Sequence, residues 1–263
     1  MDTYNEIKKG ILECSGRNEC GLRPEYIKGE EVATNYNAFQ FNYSRQDAKK
    51  SKYVIVTQNP GPLPKGSNSD GYKELLKATD DDFVQITRRG IFRWFHHRNK
   101  HFFQRFFETL RECGLIDFNG DLEHYLKHQF LSDFLVTDLV KCRARTESVA
   151  PKHIKKCAER YLCRELECFG RGKLILAISS RTWEFIFQKF APGMCRKHPG
   201  ESDKNCRNVS KVHGRLFRSD VLNAHFIPLA HFSQRLFNSY LRDSYFDYLK
   251  DGLEEFRAIR AVS

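Results

Sequence analysis

The chain has 263 residues, of which 40% are hydrophobic and 29% charged, with 22 Phe and 11 Tyr. That much apolar material excludes disorder and a small cross-linked scaffold, and the length favours one large α/β domain spanning 1–263 over two small ones. Lys plus Arg number 44 against 33 Asp plus Glu, a formal charge of +11, so a polyanion is the first partner to consider and an evenly solvated basic surface the alternative.

The first residues, MDTYNEIKKG, carry neither the cationic nor the apolar region of a signal peptide, and no run of roughly 18 apolar residues follows. The expectation is a soluble cytoplasmic protein, monomeric and without a membrane partner. The nine cysteines are odd in number and lack an export signal, which argues against a disulfide framework. Thiolates held for a metal or cluster are one reading, and small buried hydrophobes the other. The second suffices for Cys113 and Cys163.

In chain order, the first apolar run is Tyr53–Thr57 (YVIVT), a candidate buried strand. Residues 61–89, rich in Pro, Gly, Ser and Asp, read as a surface insertion. Gly90-Ile91-Phe92-Arg93-Trp94-Phe95 and the following His96 to His101, with Arg98 and Lys100, make a basic stretch interleaved with aromatics, suited to phosphates and unstacked bases. Helical spacing covers 102–113, a second strand falls at 134–139 (FLVTDL), and a helix follows an Ala-Pro opening over 153–168. Leu174–Ile178 (LILAI) is the third strand, 181–190 a helix, and 192–211 a second polar insertion whose default reading is a flexible basic loop. Within and beside it, Cys195, His198, Cys206 and His213 have spacings a zinc site could use, though without a close Cys-x-x-Cys pair. Ala224–Leu229 (AHFIPL) is the fourth strand, and 233–259 a closing helical region.

Strand and helix alternating in this way predict a right-handed βαβ series: a three-layer α/β/α sandwich around a central four-stranded parallel sheet. Ligand chemistry then belongs at the carboxyl ends of the strands. Two polar clusters fall there, Gln58-Asn59-Pro60-Gly61 after the first strand and Ala230-His231-Phe232-Ser233-Gln234-Arg235 after the last.

These clusters occur in order with Thr137-Asp138-Leu139-Val140-Lys141-Cys142-Arg143 and with Cys157. In that order and spacing the chain resembles the uracil-DNA glycosylase superfamily, in particular its iron–sulfur-containing members, from about Cys14 to the closing helix with the two insertions excepted. The resemblance implies a [4Fe–4S] cluster held by Cys14, Cys20, Cys142 and Cys157, the four thiolates such a cluster needs. Cys14 and Cys20 are separated by five residues where the family usually leaves two. The cluster would be structural, holding Lys141, Arg143 and Arg145 against a phosphate backbone, with Arg235 a further DNA contact.

By the same resemblance Asn59, with Gln58 in support, places the attacking water, and His231 receives the charge that collects on the departing base. Taken alone, Asn59 also serves a turn before Pro, His231 is an ordinary polar residue at a strand end, and His213 competes with it for the role. Gly61 admits close approach of the backbone to the ligand, Ser233 belongs to the same substrate-binding set, and Phe92 matches the family's stacking aromatic. Asp138 departs from the family, which usually carries Asn there. An ionised carboxylate accepts hydrogen bonds only and would repel a carbonyl such as uracil O4. Either burial keeps it protonated, or the preferred base is a deaminated purine presenting N–H; a plain capping Asp is the third reading. The implied activity is a monofunctional DNA glycosylase. The alternative is an iron–sulfur nucleic-acid-binding protein of the same fold without catalysis.

Overall fold

The structure, a computed structural model, describes residues 3–12, 14, 26–27, 30–31, 45–58, 100–141, 151–190, 202–232 and 239–262. Two residues each of β1 (Tyr26–Ile27) and β2 (Glu30–Glu31) pair antiparallel. The main sheet comprises β3 (Tyr53–Thr57), β4 (Phe134–Asp138), β5 (Leu174–Ile178), β6 (Phe217–Ser219) and β7 (Ala224–Leu229), in the spatial order β4-β3-β5-β7-β6.

The four expected strands are all present and mutually parallel. Their aliphatic runs are buried on both faces, as a sheet covered by helices requires. The chain passes from β3 outward to β4, then back across β3 to β5, so the strand order reverses beside β3. That reversal opens a crevice at the carboxyl ends.

The fifth strand corrects the four-stranded expectation. β6 lies antiparallel along β7, pairing Phe217 with Phe226 and Ser219 with Ala224. Three residues are too few to show an alternating pattern in sequence, and the hairpin depends on Asn223, which adopts φ 47° in the turn.

Apolar cores lie on both faces of the sheet. Val54 and Val56 face one, with Ile175 and Ala177; Tyr53 and Ile55 face the other, with Leu174 and Leu176. The first core is closed by α1 (Thr3–Leu12), through Tyr4, Ile7 and Ile11, and by the helical segment 151–170. That segment passes from α-helix at Pro151–Cys157 into π-helical turns at Ala158–Leu162 and Leu166–Gly170. The second core is closed by Lys100–Glu112, Leu122–His128 and the C-terminal helix Ser239–Val262, which contributes Leu249, Leu253 and Phe256. The three-layer α/β/α arrangement follows.

Residues 61–89 lie outside the described residues. The second insertion is corrected in its described part: Ser202 and Asn208 cap two short helices, Asp203–Arg207 and Val209–Val212, and Cys206 and Val209 are 0% exposed. The Trp183 indole donates to the Cys206 carbonyl at 2.7 Å, so the segment is packed into the core by a residue that a polar composition conceals. No helix among the described residues is long and apolar enough to cross a membrane.

Candidate active site at the carboxyl rim of the sheet

The parallel order places the ends of β4, β3, β5 and β7 side by side, so Asp138, Gln58, Ser179 and His231 follow one another along one edge. Backbone pairing extends beyond the strands, with Leu139 N–H donating to Thr57 O at 2.8 Å and Val140 N–H to Gln58 O at 3.0 Å. Asp138 is thereby held beside Thr57, its register partner, whose hydroxyl donates to its carboxyl oxygen Oδ1. The Asp138 side chain is 4% exposed, and Gln58 is half-buried. Asn59, Gly61, Phe92, Ser233 and Arg235 lie outside the described residues.

Ser179 follows β5 directly and was not expected in the site. It is buried with φ 106°, a conformation that ordinarily belongs to glycine. Its N–H donates to Leu229 O at 2.9 Å and its hydroxyl accepts from Thr182 N–H at 3.2 Å, capping the helix Ser180–Phe190. A strand end running into Ser-Ser before a helical pattern was the available sequence signal.

His231 is half-buried just past β7, its ring 4.1 Å from the Phe232 ring, centroid to centroid. Phe232 in turn packs against Phe102 and Phe103, at 5.8 and 5.9 Å. His213, the rival for its role, is buried instead. Its Nδ1 accepts from Ala230 N–H at 3.1 Å and its Nε2 lies 2.9 Å from Tyr245 O, while burial lowers its pKa to about 4. Both ring nitrogens are occupied by backbone, so His213 has none left for zinc. Cys206 sits in a disulfide, and the described half of the zinc expectation therefore does not fit the metal.

Lys141 corrects the expected DNA contact. The side chain is 1% exposed, and its ammonium donates to the Glu165 carboxylate, to Thr137 Oγ1 and, at 2.7 Å, to Asp138 O. A charge so enclosed does not reach a phosphate. Lys141 belongs to a basic turn in sequence, but its stem folds back beneath the strand, where a buried carboxylate from the 151–170 helix meets it. Nothing in the sequence distinguished Glu165 from a solvated helix residue. Arg143 and Arg145 lie outside the described residues.

Two of the four expected cluster ligands are described, and both lie in the same core near Tyr161. Cys14 and Cys157 are buried there, and the Tyr161 hydroxyl donates to Gly10 O at 2.7 Å. Burial raises the Tyr161 pKa, and the nearby Cys14 and, more weakly, Cys157 add to the effect. The Lys141 backbone N–H donates to Cys157 Sγ at 3.4 Å, the type of bond that supports a cluster thiolate. A soft, buried sulfur pair with an N–H donor suits iron–sulfur chemistry. Cys20 and Cys142 lie outside the described residues. Cys113 and Cys163 are buried hydrophobes, their thiols pushed up to about 11 chiefly by burial.

An open α/β sheet with helices on both faces and convergent polar side chains at its carboxyl rim defines a ligand-handling domain of the doubly wound class. The sequence model of the uracil DNA glycosylase superfamily matches residues 44–254, and the chain belongs to that superfamily. At family level it is a glycosylase-type hydrolase domain directed at DNA. No curated protein matches the chain.

Proposed function

We propose that the protein is a monofunctional DNA glycosylase that hydrolyses the N-glycosidic bond of a flipped-out deaminated base, uracil or a deaminated purine, in base-excision repair. The observation that carries this reading is Asp138, a buried carboxyl gripped by Thr57 on the same rim as His231. A carboxyl fixed in one orientation reads the edge of a base, because a single rotamer presents a single pattern of donors and acceptors. His231 donates to the departing base as negative charge collects on it, Asn59 with Gln58 orients the water, and Phe92 stacks on the base. Gly61 and Ser233 contribute to the pocket, and Arg143 and Arg235 to phosphate binding. The +11 net charge supports a DNA partner.

A [4Fe–4S] cluster on Cys14, Cys20, Cys142 and Cys157 would tie the N-terminal segment to the turn after β4. Bound there, it supplies a structural cross-link. The burial of Cys14 and Cys157 in one core near Tyr161 and the Lys141 N–H donated to Cys157 support this assignment.

The test is base release from oligonucleotides carrying uracil, hypoxanthine, xanthine or no lesion, single- and double-stranded. The protein is purified anaerobically and assayed for iron and sulfide. Release of uracil or of a deaminated purine establishes the enzyme, and the pH dependence of that release tells whether Asp138 acts as a carboxylate accepting from a base N–H, which both kinds of base present, or as a protonated donor toward the neighbouring carbonyl. No release from any strand, with the cluster full and DNA bound, overturns the enzyme in favour of an iron–sulfur nucleic-acid-binding protein of the same fold.

A further inference from the structure

We propose that His213 and Tyr245 are positioning residues for His231, which they set by gripping the preceding residue through both of its backbone polar groups; the inference rests on the role proposed above for His231. Ala230 follows the last residue of β7 and offers only a methyl group, with no polar side chain to hold. Its N–H donates to His213 Nδ1 at 3.1 Å, and its carbonyl accepts from the Tyr245 hydroxyl at 2.8 Å.

The two grips are themselves linked. His213 Nε2 donates to the Tyr245 carbonyl at 2.9 Å, which leaves Nδ1 as the acceptor that Ala230 requires, and the two rings lie 4.1 Å apart. Each residue thus orients the other as well as Ala230. Next along the chain, Gly214 N–H donates to Pro228 O at 2.9 Å, so the segment leading into β6 runs beside the end of β7.

A strand end normally leaves its last backbone groups to water, and the following residue is then free to pivot. Here it is held from both sides, by the grip on Ala230 and by Phe232 against Phe102 and Phe103. Phe232 does not fix φ as a proline would, so the grip on Ala230 supplies the constraint from the other side.

The first experiment uses the full chain with 15N-labelled histidine and follows ring signals by NMR. His213 is expected as the neutral Nε2–H tautomer. Tyr245→Phe is expected to shift or broaden the His231 signals and leave His124 and His128, on the exposed face of another helix, unchanged. Unchanged His231 signals in a folded Tyr245→Phe protein overturn the proposal. Should that variant not fold, His213→Asn keeps an amide oxygen for Ala230 N–H and is expected to preserve the His231 signals, whereas His213→Leu is expected to disturb them; equal spectra overturn the proposal.

The second experiment measures base release. Tyr245→Phe is expected to lower kcat roughly ten- to a hundredfold with KM unchanged. In a His231→Ala background the same substitution is expected to have no further effect. Persistence of the full loss there overturns the positioning role, because a merely structural defect acts whether or not the imidazole is present. Absence of base release from the parent overturns the proposed activity alone, and the NMR result still decides the grip.

Discussion

Lys141 and Glu165 form an ion pair in which each side chain is 1% exposed, directly beneath the strand end that carries Asp138. Two charges taken out of water are tolerable only when each satisfies the other, and Thr137 completes the set by donating to Glu165 at 2.9 Å.

Lys141→Met is therefore expected to destabilise the protein by about 3–5 kcal/mol, because it strands the Glu165 carboxylate. Adding Glu165→Leu should recover most of that loss. Denaturant unfolding of the single and double variants checks both. The salt dependence of DNA binding by the double variant should match the parent; a slope shallower by about one phosphate contact would restore Lys141 to the DNA interface.

Ser179 holds φ 106° and a helix cap at once. Ser179→Gly relieves the strain, worth about 1–3 kcal/mol, and gives up a cap at a cost of a few tenths, so net stabilisation is expected. Ser179→Ala keeps the strain and loses the cap, and should destabilise by about 1 kcal/mol. Thermal unfolding of the two variants must move in opposite directions.

His213 gives stability a sign with pH. Its folded pKa is lowered to about 4 from 6.5, so the unfolded chain takes up a proton that the folded protein refuses. The contribution is complete above pH 6.5 and is lost as pH falls from there toward 4, by about 3 kcal/mol. Unfolding free energies across that window should fall less steeply for His213→Leu than for the parent.

Gly214 has φ 80°, and a Cβ built there would lie 2.2 Å from the Tyr248 carbonyl oxygen. One at Gly252 would lie 1.9 Å from the Gly214 carbonyl oxygen. Both obstacles are backbone and cannot swing aside. Alanine at either position is expected to open the seam between the C-terminal helix and the β6–β7 region, costing about 3 kcal/mol or more, measured by denaturant unfolding.

If Cys14 and Cys157 hold the proposed cluster, anaerobically purified protein should contain about four iron and four sulfide per chain. Cys157→Ala should lose both and become markedly easier to unfold, whereas Cys113→Ala should retain them. Equal iron in the two variants would dismiss the ligand set.

Sequence alone determined the four parallel strands, because continuous runs such as YVIVT and LILAI can be satisfied only inside a covered sheet. Placing polar clusters after the first and last strands located the rim carrying Gln58 and His231, the family resemblance singled out Asp138, and motif order pointed to the superfamily that matches residues 44–254. The periodicity of 181–190 located a helix one residue short of its start.

What tertiary structure decided was the fate of individual side chains. Lys141 and a DNA-facing lysine are alike as letters; only the arrival of Glu165, 24 residues later, buries one charge against the other. His213 and His231 are both histidines beside the fold's last strands, yet one has both ring nitrogens in backbone hydrogen bonds and the other stands half-exposed at the rim. β6, the packed helices at 202–212 and the grip on Ala230 were equally illegible. Local pattern reports how often a residue type meets water. It carries no record of which distant group fills the space opposite, and that pairing sets whether a charge is solvated, a ring nitrogen donates, or a thiol is buried.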